Sequence, residues 1–131
     1  MWSGCGVKGK KRVITLVNTI IIGMMKKNEF ILKRLKESLV TTFGDDIKSV
    51  ILFGSRATGE AHKHSDYDVL IILNRDYDRD YRLKLTSVVL DMELEFDIFI
   101  DIKVISTNEL YHTIKGKEPL FVDAIQEGIY A

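Results

Sequence analysis

Residues 50–73 read Val-Ile-Leu-Phe-Gly-Ser-Arg-Ala-Thr-Gly-Glu-Ala-His-Lys-His-Ser-Asp-Tyr-Asp-Val-Leu-Ile-Ile-Leu. The apolar run that ends at Phe53 begins at Ile47, is rich in β-branched residues and is bounded by Asp45-Asp46 and Gly54, so it reads as a buried strand. Gly54 permits a positive φ or a close backbone approach where that strand stops. Ser55 then opens a short helical stretch, over about 55–61, whose N–H groups and positive dipole end suit a phosphate. Ser55 adds a hydroxyl donor and Arg56 a candidate cation. Residues 62–65 form a polar loop, and 68–73 form a second apolar strand. Asp66 and Asp68 stand at i and i+2 as it begins, which puts both carboxylates on one face of the sheet. Two such groups repel unless a cation lies between them, and hard oxygen donors beside phosphates suit Mg²⁺.

Outward from this segment, helix and strand alternate. Phe30, Ile31, Leu35, Leu39 and Phe43 recur at helical spacing, and Gly44 offers a stop. Tyr81, Leu85, Val88, Val89 and Met92 mark one face of a second long helix. From 96 to 105 the alternation is strict. Phe96, Ile98, Ile100, Ile102 and Val104 face one way, and Asp97, Phe99, Asp101 and Lys103 the other. Thr107 is the expected cap of a helix through Lys115, and residues 120–127 form a last one. This order predicts an α/β (α+β) domain: a mixed sheet with helices packed mainly on one face, the other being free for a site.

Gly54-Ser55-Arg56-Ala57-x-Gly59, followed by Ser65-Asp66-x-Asp68, resembles the signature of the DNA polymerase β-like nucleotidyltransferase superfamily. Length and layout resemble its minimal nucleotidyltransferase (MNT) members, over residues 26–131. The closing Ile125-Gln126-Glu127-Gly128-Ile129 also resembles the tail of many such proteins. His64 is a departure, since members often carry a proline just before Ser-Asp. The resemblance implies the polymerase β-like fold and a third carboxylate from a later strand beside the dyad. Asp97 and Asp101 are the candidates; the family's spacing favours Asp97, 29 residues after Asp68, at the strand's start.

The resemblance also implies catalysis. Asp66, Asp68 and Asp97 would hold two Mg²⁺ ions, and Gly54, Ser55 and Arg56 would bind ATP or another nucleoside triphosphate. A nucleoside monophosphate, AMP if the donor is ATP, would pass to an acceptor hydroxyl. Small proteins of this type resemble the antitoxin half of a pair with a HEPN ribonuclease modified at a tyrosine. A small helical protein partner is therefore expected, and a homo-oligomer is compatible. The alternatives are a catalytically silent module that neutralises a partner by occlusion and a template-independent polymerase or nucleic-acid end modifier.

Composition narrows these. The 131 residues suffice for one modest core, and 46% apolar with 29% charged residues is the mix of an ordinary globular protein. Nineteen basic residues balance nineteen acidic ones, which argues against strong nucleic-acid binding. The single cysteine, Cys5, allows no intrachain disulfide and no cysteine zinc site, and fits a reducing, cytoplasmic setting. Residues 8–12 are basic and precede an apolar run over 13–25, the outline of a signal peptide. The run is too short to span a bilayer, and no small-residue cleavage site follows. Residues 1–25 are therefore expected to be a loosely packed or disordered extension, or a mis-assigned start before Met24 or Met25. His62 and His64, lacking a third partner, read as solvent-exposed. Asp76, Asp78 and Asp80 resemble a calcium-loop fragment but lack its glycine and terminal glutamate, and read as a solvated helix start. Asp101 beside Lys103 reads as an ion-paired neighbour unless it is the third acid.

Overall fold

The computed structural model describes the backbone of residues 10–58 and 66–131 and, among these, side chains from Lys26 onward. Helix α1 (Lys10–Phe43) leads through a 3₁₀ turn (Gly44–Asp46) into β1 (Ile47–Phe53), followed by α2 (Ser55–Thr58) and β2 (Tyr67–Leu73). Then come α3 (Arg79–Phe96), β3 (Ile100–Ser106), α4 (Thr107–His112), a second 3₁₀ turn (Ile114–Lys117), α5 (Pro119–Glu127) and β4 (Ile129–Tyr130). The expectation of an N-terminal extension falls partly outside the described residues, namely residues 1–9 and the side chains of 10–25. No helix among the described residues is long and apolar enough to cross a membrane.

The four strands lie in the order β3-β2-β1-β4. β1 pairs antiparallel with β2 and with β4, and β2 pairs parallel with β3, so the sheet is mixed. A parallel pair needs a long crossover, which α3 supplies. Strand alternation divides the apolar side chains between two cores. Ile31, Leu32, Leu35 and Leu39 of α1 and Leu85, Val89 and Met92 of α3 pack on Val50, Leu52, Val69, Ile71, Ile102 and Val104. The opposite face carries Ile51, Leu70, Ile72 and Ile105, covered by Phe121 and Ala124 of α5. Both long helices thus share one face, and α5 shields only part of the other.

Three expectations need correction. The third strand begins at Ile100 rather than Phe96, because α3 continues through Phe96 and ends on Asp97 in the left-handed conformation (φ 52°). Its core face was read correctly, since Ile98, Ile100, Ile102 and Val104 all join the helix-side core. Phe30, on the apolar stripe that the spacing predicts for the first helix, is half exposed and meets Phe96 edge-on at 5.7 Å. The cap of α4 is Ser106, not Thr107.

That cap is a reciprocal box. Ser106 Oγ accepts from the Glu109 N–H at 3.0 Å, while the Glu109 carboxylate accepts from the Ser106 N–H at 3.2 Å. Ser106 is fully buried and also donates to Asp76 (3.3 Å), and Lys115 holds Glu109 at 3.3 Å. Partial burial pushes the Glu109 carboxyl up, but the Ser106 N–H and Lys115 outweigh it and leave it below the ordinary range. Its stabilising effect is complete above the ordinary glutamate pKa and is lost as pH falls through the lowered folded value. Ser106→Ala is expected to cost about 1–2 kcal/mol, seen as a lower urea midpoint at unchanged m-value; an unchanged midpoint would remove the cap from the fold's support.

Candidate active site

β1 and β2 are in register such that Phe53 faces Asp68. The next residue, Gly54, turns at φ +75°, and a Cβ built there would fall onto the Asp68 carboxylate. The glycine is therefore required twice over, by its backbone conformation and by the acid lying against it. α2 follows at once, with the Ala57 and Thr58 N–H groups both donating to the Gly54 carbonyl, at 3.1 and 3.3 Å.

On the other side of β2, Asp68 is the parallel-register partner of Asp101. Neighbouring strands run about 4.8 Å apart. The buried residues Ile100 and Ile102 flank Asp101 and point into the helix-side core, so Asp101 projects from the opposite face together with Asp68. Asp66, one residue ahead of β2, shares that parity. Burial pushes the Asp68 carboxyl up, the charges of Asp101 and Asp66 push it further, and Lys103 partly offsets them. Lys103 reaches Asp101 at 3.6 Å, the pair anticipated from sequence.

Asp97 is not in this group. It caps α3, exposed and outside the strand, and its N–H donates to the Glu93 carbonyl. Arg56 is also placed differently from a phosphate-facing cation. Only 7% exposed, it lies with its guanidinium 3.9 Å from the centroid of the Tyr67 ring and donates to Asn28 at 3.2 Å. Sequence reasoning missed Asn28, whose signal is faint: one amide on an otherwise apolar helix face. Ser55 opens α2 as expected, half-buried beside Gly54. Gly59, His62, His64 and Ser65 lie outside the described residues.

What can this arrangement hold? Among the described residues, no three His, Cys, Asp or Glu side chains stand close enough to bind a metal as they are. The donor chemistry nonetheless fits a hard divalent cation: three carboxylates of one parity, one of them raised by burial and then by its neighbours' charge, with a lysine paired to another. A cavity of about 430 Å³ borders the Gly54–Thr58 turn on its α5 side. Its walls include Asp123 and Glu127, so an anion on either side of the turn meets carboxylates and needs a cation beside it.

Comparison with known proteins identifies the family and the fold. The family model described as polymerase beta, nucleotidyltransferase matches residues 33–125. Two proteins of Methanocaldococcus jannaschii, provisionally named as protein adenylyltransferases, are similar. One is 34% identical over 70 residues, 53% of this chain and 71% of its own length. The other is 32% identical over 81 residues, 62% of this chain and 75% of its own. In structure, the chain is similar to a provisionally named nucleotidyltransferase of Sulfolobus solfataricus, with TM-score 0.55 and 19% identity over 84% of each chain. It is also similar to a mutant of the toxin–antitoxin MntA-HpeT, with TM-score 0.52 and 14% identity over 75% of this chain and 69% of the other. At these identities the two structures establish a common fold.

Proposed function

The chain belongs to the polymerase beta nucleotidyltransferase family, and from that premise we propose that it moves a nucleoside monophosphate, AMP from ATP, onto a hydroxyl of a protein. The observation that carries this reading is the convergence of Asp68 with Gly54 on one side and Asp101 on the other. In this reading Asp66, Asp68 and Asp101 would hold Mg²⁺, two ions in all. The third acid is Asp101 rather than Asp97, because the strand register puts Asp101 beside Asp68. When bound, such ions neutralise the triphosphate and ease ionisation of the acceptor hydroxyl.

The remaining steps belong to the chain's own residues. Gly54 leaves room for the β- and γ-phosphates to approach the backbone, and the Ser55 hydroxyl orients them. The acceptor oxygen attacks the α-phosphorus in line, the bond to the β-phosphate oxygen breaks, and pyrophosphate leaves. The hydroxyl proton goes to a carboxylate oxygen of Asp101 or to water. Lys103, paired with Asp101 at 3.6 Å, places a positive charge beside the acids. Arg56 has a structural place in the turn instead of a phosphate contact.

A protein acceptor is supported by the names of the methanogen relatives, and a helical HEPN-type partner modified at a tyrosine by the fold shared with a toxin–antitoxin component. Labelled ATP, Mg²⁺ and such a partner are expected to yield labelled partner, with EDTA or Asp68→Asn abolishing the transfer. Metal-independent ATP binding without transfer would favour the silent binding module instead.

A further inference from the structure

Behind the Gly54 turn, three residues from three elements are locked together. Asn28 of α1 is buried, and its Nδ2 donates to the Arg56 carbonyl at 3.3 Å while its Oδ1 accepts from Arg56 Nη1 at 3.2 Å. The Arg56 guanidinium is stacked on Tyr67, which stands between Asp66 and Asp68 in sequence and is 1% exposed. The Tyr67 hydroxyl has no hydrogen-bond partner among the described residues, so Tyr67 is held by packing and by the cation over its ring. For packing alone, an apolar residue would serve as well at position 28. Two reciprocal bonds to one partner set orientation instead, because each is strong only in a narrow range of angle.

We infer that Asn28 is a positioning residue for the phosphate-binding turn: by gripping Arg56 at both its carbonyl and its guanidinium, it keeps Gly54 and Ser55 opposite Asp68 and so sets affinity for the nucleoside triphosphate. The mechanical link is short. Arg56 is the second residue of α2, and the two N–H groups that follow it both end on the Gly54 carbonyl. A roll of α2 therefore moves Gly54, and with it the space left for phosphate. Asn28 touches no reacting atom and acts only through Arg56. The inference rests on the nucleotidyltransferase reading for its substrate but not for the geometry of the clamp.

The test compares wild type, Asn28→Ala, Asn28→Asp and Leu32→Ala, with Mg²⁺-ATP as the varied substrate and each variant assayed where circular dichroism shows it folded. Leu32 is buried one turn further along the same helix, so its truncation reports loss of packing alone. Asn28→Ala is expected to raise KM for ATP about tenfold with kcat within about twofold, the scale of two modest hydrogen bonds. Leu32→Ala is expected to lower Tm and leave KM within about twofold. Asn28→Asp keeps the acceptor facing Arg56 Nη1 and should recover part of the loss. In parallel, amide hydrogen exchange over residues 54–58 without nucleotide should quicken in Asn28→Ala and stay unchanged in Leu32→Ala. A KM unaltered by Asn28→Ala, or exchange quickened equally by both truncations, overturns the inference. If wild type itself transfers nothing from any triphosphate, the functional reading falls, and the exchange result alone decides the clamp.

Discussion

Asp101→Asn lowers nucleotidyl transfer about 100-fold or more, and Asp97→Asn leaves it within about twofold; this is the expected outcome if the acids act as one site. The two aspartates are four residues apart but differ in everything that matters. Asp101 is the register partner of Asp68 on the open face of the sheet, whereas Asp97 caps a helix in a left-handed conformation that asparagine adopts as readily. Loss of folding would not explain a dead Asp101→Asn. A carboxyl held above its ordinary value binds more protons folded than unfolded at the same pH. Stability therefore declines as pH rises from the ordinary aspartate pKa through the raised value of Asp68, and stays reduced above it. Removing the Asp101 charge relieves part of that penalty, so the variant should melt at or above the wild-type temperature at neutral pH without metal. Steady-state transfer assays paired with thermal melts read both quantities. Equal activity in Asp101→Asn and wild type would remove the third acid from the scheme.

Gly54→Ala is the second large effect, and Gly44→Ala is its natural control. Both glycines have positive φ, +75° and +59°, so each alanine carries a left-handed penalty of about 1–2 kcal/mol. Around Gly44 a Cβ would meet nothing within 4 Å, while at Gly54 it would land on the Asp68 carboxylate. Urea midpoints should fall for both. Transfer should fall about 100-fold or more for Gly54→Ala alone, because the acid must move to admit the methyl group. Similar activity in the two variants would mean that the contact between turn and acid has no catalytic weight.

The sequence is informative where periodicity and parity are strong. β1 was bounded correctly, since an apolar run flanked by Asp45-Asp46 and Gly54 leaves little choice, and the core face of β3 followed from strict alternation. The start of β3 did not, because Phe96 and Ile98 suit the apolar stripe of a helix end as well as a strand, and only packing decides between them. The family's spacing favours Asp97 as the third acid, and its parity in an unbroken strand would match that of Asp101; the strand register brings Asp101 beside Asp68 and leaves Asp97 at the helix end. The two-residue β4 was unreadable, for Ile129 and Tyr130 are too few to show a period. Arg56 illustrates another limit. A cation after a glycine-serine pair suggests phosphate, and nothing in the sequence says that Asn28, twenty-eight residues earlier, draws it inward.

The turn from α3 into β3 has a consequence of its own. Residues 97–99 join the two elements, and Glu93 ties the turn down: its carbonyl accepts from the Ile98 N–H at 3.2 Å and its carboxylate from the Ile100 N–H at 3.0 Å. Side chains along β3 take odd and even places, so one residue more or fewer here would hand the aspartate's place to an isoleucine and bury the acid among hydrocarbon. The tie from Glu93 to Ile98 and Ile100 thus helps to keep Asp101 on the face that carries Asp68.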